Sequence, residues 1–242
     1  RRHFWTKGEK GRNRIIVCKG LFHGRTIAAV SAAQTPKMCD GFGPLVDGFD
    51  QVPYNDIAAL EKAITPQHAA IHFETVQGEG GITPATAEYM KAARALCDKH
   101  GMLLFLDEIQ CGMLRTGKMW AYEHAGVKPD VMCIAKAFGG GFPVGACLAT
   151  ENAAAGMTIG SHGTTYGGNP LAMAVAEEAL NLITEPGLAE HVNKVSAYAF
   201  GKLAGLVKEF PKLVTEVRGK GLMIGLQLTE EYADLQRLFL KH

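Results

Sequence analysis

Two short apolar runs, each ending in charge, constrain this chain more than any other feature. Met102 to Leu106 runs into Asp107 and Glu108, and Val131 to Ala135 runs into Lys136, followed by Ala137, Phe138 and the glycines Gly139 to Gly141. Runs of this length that are apolar throughout match strands buried on both faces, as in a parallel sheet covered by helices. Between Thr86 and His100 the apolar residues Met90, Ala93, Leu96 and Cys97 fall on one helical face, and Gly101 supplies the stop. A helix feeding such a strand is the α/β pattern, so the expected architecture is a mainly parallel sheet flanked by helices.

In open α/β sheets the ligand crevice lies at the carboxyl ends of the strands. The two runs therefore deliver an acid and a lysine to one crevice beside a loop bare of side chains. A lone aspartate at a strand end is more often a turn residue, and a lone lysine is more often solvated. Their conjunction is more telling, because Lys136 is the sole charge between Val131 and Cys147. A buried ammonium is expected there, and a buried ammonium needs a role or a partner. Pyridoxal phosphate chemistry supplies both roles: a carboxylate holds the pyridine nitrogen protonated, and a lysine joins the carbonyl carbon covalently.

Six ordered motifs extend the pattern: FHGRT at 22–26, QGEGG at 77–81, DEIQ at 107–110, RTGK at 115–118, AKAFGGGFPVGA at 135–146 and HGTTYGGNP at 162–170. Together they resemble the class III aminotransferases, pyridoxal phosphate enzymes of fold type I, along essentially the whole chain. The resemblance implies a pyridoxal-phosphate-binding large domain over 1–186, lacking its N-terminal part, and the start of a small α+β C-terminal domain over 187–242. It implies that Lys136 and Asp107 are catalytic. Phe22, Asp107, Glu108, Ile109, Gln110, Lys136 and Thr165 would bind the cofactor, Phe22 and Ile109 from opposite faces of the ring and Gln110 at its hydroxyl. Arg25, Glu79 and Thr164 would bind substrate, Arg25 as a bidentate carboxylate clamp.

Further implications are transfer of an amino group from a small-molecule donor to 2-oxoglutarate, a cytoplasmic homodimer with shared sites, and Thr165 reaching the neighbour's phosphate. FHGRT and GGGFPVGA are nearer to the acetylornithine-type members, which serve arginine biosynthesis, than to the 4-aminobutyrate type. Ornithine and succinylornithine types share most of the motifs, and a non-catalytic fragment that keeps the fold is the alternative of a different class. Thr75 stands where the family has proline, and Cys111 and Leu114 stand where it has threonine and glycine.

Composition narrows the remaining classes. Hydrophobic content of 47% and charged content of 20% over 242 residues fit a globular protein with a real core. A net charge of +1 with scattered Lys and Arg argues against a nucleic-acid partner. No apolar run is long enough to span a bilayer. The six cysteines form no C-x-x-C pair, and Cys133 and Cys147, in apolar runs, are expected as reduced packing thiols. His68 and His72 have a helical metal spacing, but AAIHFE reads as a strand and no metal site is expected. Gly112 to Lys118 approaches a P-loop, yet Met119 stands where magnesium needs a hydroxyl, and no strand directly precedes it.

Taken in order, strands are expected at 15–18, 69–73, 144–149, 214–218 and 222–228. Helices are expected from Thr26 to Ala33, from Asp56 to Ile64, from Pro170 to Ile183, from Gly187 to Lys208 and from Glu230. Residues 1–14 are basic and glycine-containing, and 34–55 read as a long surface loop. The chain starts at Arg1 without methionine and stops at His242 within an expected helix, so it reads as the middle of a longer protein. The family's phosphate-binding loop and a substrate-pairing arginine are expected outside it.

Overall fold

The computed structural model describes residues 1–229, and the helix expected from Glu230 lies outside the described residues. The described residues form ten strands: β1 (Arg14–Cys18), β2 (Phe49–Val52), β3 (His68–Glu74), β4 (Val76–Gln77), β5 (Thr83–Pro84), β6 (Leu103–Asp107), β7 (Val131–Ile134), β8 (Ala146–Ala149), β9 (Val214–Lys220) and β10 (Met223–Leu228). Six of them make the central sheet in the order β2-β1-β3-β6-β7-β8. Its first five strands are parallel and β8 runs antiparallel to β7. The pairs β4–β5 and β9–β10 are separate antiparallel ribbons.

Register assigns the two faces. Glu74 lies opposite Asp107, Asp107 opposite Cys133, and Cys133 opposite Cys147, so these side chains share one face. The other face carries Ile16, Ile71, Phe73, Leu104 and Leu106, all fully buried. They pack with Tyr89, Met90, Ala93 and Cys97 of the helix Ala87–His100 and with Leu60 of the helix Ile57–Ala63. That helix starts where Thr86 Oγ1 accepts from Tyr89 N at 3.1 Å, and it ends on Gly101 with φ of 62°. On the first face, Val30, Ala32 and Ala33 of the helix Ile27–Ala33 cover Val17.

The segment expected as a loop, and the N-terminal stretch, hold more structure than their composition shows. Residues 34–55 contain the helix Pro36–Cys39 and β2, and residues 1–14 contain the helix Arg2–Thr6. β2 has no apolar run because it is an edge strand held by charge: Asp50 accepts from Arg14 Nε at 2.6 Å and meets His68 Nε2 at 2.9 Å. A short helix, Glu151–Ala154, also went unanticipated. The helices Pro170–Ile183 and Leu188–Glu209 and the β9–β10 ribbon fall where expected.

The ribbon docks on the large unit through contacts to backbone carbonyls. Arg218 Nε donates to Gly81 O at 2.5 Å, and Leu222 N donates to Arg115 O at 2.8 Å. From the preceding helix, Asn193 Nδ2 reaches Gly117 O at 3.1 Å. Among the described residues no helix is long and apolar enough to cross a membrane.

Candidate active site

The carboxyl ends of β3, β6 and β7, with the loop after β1, surround a pocket lined by Phe22, His23, Gly24, Glu74, Glu79, Asp107, Ile109, Gln110 and Lys136. Six residues singled out in the sequence thus converge: Phe22, Glu79, Asp107, Ile109, Gln110 and Lys136. His23 and Glu74 join them without having been assigned a role. A wider groove at the amino ends of the same strands, around 8–12 and 64–67, is open, and its Arg12 is already paired with Glu9 at 3.1 Å.

Asp107 closes β6 with its carboxylate held at both oxygens. Oδ1 accepts from Ile109 N at 3.0 Å and Oδ2 lies 2.8 Å from His23 Nδ1. An ionised Asp107 is acceptor-only, so His23 donates from Nδ1. Only 7% and 6% of the two side chains are exposed, which leaves this bond little competition from water. The His23 ring stacks on His72 at 3.8 Å, and His72 stacks on Phe105 at 4.0 Å, forming a column that steadies the imidazole. Burial, with His23 adjacent, drives the His72 pKa well below its ordinary value, so His72 is neutral.

Donor atoms of His23, His72 and Asp107 lie within 4.8 Å of one another. The imidazole planes are only 13° apart, so their in-plane lone pairs run side by side instead of converging as a chelate requires. His68, the other histidine considered for a metal, is held elsewhere by Thr65 and Asp50.

Lys136 departs from expectation in being exposed. β7 ends at Ile134, and Lys136 opens a tight turn, Lys136–Gly139, with φ of 51°. A non-glycine residue in the left-handed region costs about 1–3 kcal/mol and persists only where its surroundings enforce it. Here the glycine turn does so: Gly139 admits no Cβ, because one would meet Val144 Cγ1 at 2.7 Å. The ammonium consequently stands at the pocket edge instead of inside the apolar sheet.

Glu108 is the main correction among the expected cofactor contacts. It is fully buried, but its carboxylate accepts from Thr75 Oγ1 at 2.7 Å, Ala121 N at 2.8 Å and Tyr122 N at 3.0 Å. Strand alternation turns it away from the Asp107 side, and it braces the loop leading to β7. Burial raises its pKa, opposed by those donors. Glu74 serves the pocket side in the same manner, accepting from Phe22 N at 2.8 Å and Gly78 N at 3.0 Å. It pins the loops that carry Phe22 and Glu79, and burial raises its pKa also.

Gln110 is half-buried, with its Oε1 shielded from solvent and unpartnered. Gly78 makes room for it, since a Cβ there would overlap the Gln110 amide. Arg25 is exposed, its guanidinium 5.5 Å from the centre of the Phe22 ring, and does not line the pocket. Thr164 and Thr165 are exposed on the loop before Pro170 and do not reach it either. Gly112 to Lys118 is a turn in which Met113 and Leu114 have positive φ, and no α-helix follows to receive a phosphate.

The sequence matches the family model described as aminotransferase class-III over residues 1–241. It is 54% identical over 227 residues to the acetylornithine aminotransferase of Mesorhizobium japonicum, covering 94% of this chain and 57% of that protein. A structure of the ornithine aminotransferase from Toxoplasma gondii, with partial occupancy of PLP at its active site, superposes with a TM-score of 0.93 at 33% identity, covering 99% of this chain and 58% of that one. The N-acetylornithine aminotransferase from Stenotrophomonas maltophilia gives a TM-score of 0.79 at 37% identity, covering 100% and 58%. The chain thus spans 57% to 58% of the length of these relatives. The six motifs, the parallel sheet and the match over nearly every residue lead to one conclusion: this chain belongs to the class-III aminotransferase family.

Proposed function

We propose that the chain forms the pyridoxal phosphate site of a transaminase that moves the amino group of N2-acetylornithine to 2-oxoglutarate, giving N-acetylglutamate 5-semialdehyde and glutamate. The observation that carries this reading is the convergence of Asp107 and Lys136 on one pocket, with Asp107 oriented by His23. The donor set fits the cofactor: a buried carboxylate for a ring nitrogen, an orphaned amide oxygen on Gln110 for a ring hydroxyl, and apolar Phe22 and Ile109 for its faces. When bound, pyridoxal phosphate supplies an electron sink for the charge that develops on the substrate carbon.

The chain's own residues do the rest. Asp107 holds a proton at the ring nitrogen, and its bonds to Ile109 N and His23 fix the carboxylate in advance, so little reorganisation is needed as charge develops. Lys136, the one lysine lining the pocket among the described residues, is the covalent attachment and then the base that moves a proton from the substrate carbon. Arg25 clamps the substrate carboxylate, Glu79 stands beside the substrate, and Thr164 lies near it. Thr165 serves the phosphate of a neighbouring subunit in a cytoplasmic homodimer. The large domain ends near residue 186 and a smaller one begins at 187. Glu108 leaves the cofactor-binding set.

The 54% identity to an acetylornithine enzyme supports that donor, while the TM-score of 0.93 to an ornithine enzyme supports ornithine as the second reading. Borohydride reduction in the presence of pyridoxal phosphate, followed by peptide mapping, is expected to fix the cofactor on Lys136. Label on Lys118 or Lys128 would overturn the assignment, and steady-state rates with acetylornithine and ornithine decide the donor.

A further inference from the structure

Two thiols stand next to each other on the face of the sheet that bears Asp107. Cys133 of β7 and Cys147 of β8 are direct partners across the antiparallel pair. The carbonyl of Cys133 points away from β8, accepting from Glu108 N at 2.9 Å on the β6 side, and Thr150 N bonds Asp130 O at the start of the same ladder. By the alternation of antiparallel ladders, Cys133 and Cys147 are therefore a non-hydrogen-bonded pair, the closely spaced kind with Cα atoms about 4.5 Å apart. That spacing lies inside the range a disulfide spans.

The other cysteines are placed differently. Cys18, Cys97 and Cys111 are buried, Cys18 against the Tyr89 hydroxyl at 3.2 Å, and Cys39 contacts Val30 O. Cys147 is exposed and Cys133 half-buried. The neighbouring Cys133 thiol brings the Cys147 pKa down to about 7. The adjacent Cys147 and burial, with Asp107 nearby, push Cys133 up, so the more exposed thiol ionises first. A thiolate beside a second thiol is the arrangement of attacking and resolving sulfurs in disulfide exchange.

We propose that Cys133 and Cys147 form a dithiol modification site that exchanges with a small-molecule disulfide to close an intrachain, cross-strand disulfide. The Cys147 thiolate attacks one sulfur of the small disulfide, whose S–S bond breaks and releases one thiolate to take a proton from water. Cys133 then gives its proton to solvent and attacks Cys147 Sγ, releasing the second small thiol. Two protein thiols are oxidised and one disulfide is reduced. The bond closes a ring from Cys133 to Cys147 that contains Lys136 and the whole glycine turn, so oxidation restrains the segment that presents the lysine.

The test equilibrates the full chain in glutathione buffers of graded ratio, traps free thiols with N-ethylmaleimide and maps the digested peptides by mass. The expected product links the Cys133 and Cys147 peptides, and it is absent from Cys133→Ser and Cys147→Ser. Oxidation is also expected to slow amide exchange over residues 137–145 in the parent but not in Cys133→Ser. Iodoacetamide alkylation of Cys147 at pH 7 tests whether a donor at position 133 sets the reactivity of that thiol. Cys133→Ser, which keeps a donor, retains the parent rate within about twofold, whereas Cys133→Ala is about threefold slower, as the lost thiolate fraction outweighs the gain in nucleophilicity. Cys147 trapped only as a mixed disulfide at every ratio, a link to Cys39 instead, or equal alkylation rates in parent and both variants would overturn the proposal.

Discussion

Asp107 and Glu108 share one peptide bond, yet their carboxylates serve opposite sides of the sheet because successive strand side chains alternate. Asp107→Asn keeps the size and the contact with Ile109 N but removes the charge proposed to hold a ring proton. Transamination is expected to fall on the order of 10²–10³-fold with the melting temperature nearly unchanged. Glu108→Gln should do the reverse. An amide places an NH2 against donors from Thr75, Ala121 or Tyr122, at a cost of about 1–3 kcal/mol for the groups left unpaired. Thermal melting and kinetics on the pair decide this, and a KM effect from Glu108→Gln without lost stability would return that residue to the cofactor site. Lys136 and Asp107 stood out in the sequence because each ends an apolar run, and Gln110 only through the resemblance carried by its motif. His23 and Glu74 did not, because what marks them is a hydrogen bond between distant segments, from His23 to Asp107 and from Phe22 N to Glu74. No spacing in one sequence encodes such a bond.

Elements with a strong period were legible to within a residue or two, as in β1, β3, β6 and the helices Ala87–His100 and Leu188–Glu209. β2 was hidden because its sequence, FDQV, owes its place to Asp50 pairing with Arg14 and His68 and not to an apolar run. The exposure of Lys136 was hidden too, since nothing before the turn announces a left-handed lysine. The β9–β10 turn offers a test at this scale. Gly221 has φ of 61° and presses on the backbone of Arg115 and Thr116, so a Cβ has neither the conformation nor the room. Gly221→Ala is expected to loosen the ribbon by more than about 1 kcal/mol. Amide exchange should rise first over residues 214–228 while the core around Leu104 stays protected, and uniform exchange across both would argue against the contact.

For the whole molecule, acid stability follows from buried histidine. Unfolded His72 titrates at about 6.5, and the folded value lies well below. Between the two the unfolded chain holds a proton the folded one lacks, so stability falls as pH drops through about 6.5, by at most about 1.4 kcal/mol per pH unit for one group. His3 and His124, also lowered, add to this slope. Glu74 and Glu108, raised by burial, oppose it, since their folded forms keep protons above about 4.5. His72→Phe, which keeps a ring between His23 and Phe105, is expected to flatten the fall in melting temperature between pH 7 and 5.5. An unchanged slope would mean that His72 is not the group responsible.

The grip of Arg218 on Gly81 has a consequence for how selectivity is distributed. Ile82, at φ of 55°, is wedged beneath Gly219 and Gly225, so the 78–82 loop and the ribbon form a single lever with Glu79 at its tip. Because binding free energies are reciprocal, any ligand that prefers one setting of Glu79 stabilises one setting of the ribbon by the same amount. With Glu79 beside the substrate, as proposed, a preference for one amino donor over another would be partly stored in residues that never touch it, and altering the fulcrum would retune it while the pocket lining stays fixed.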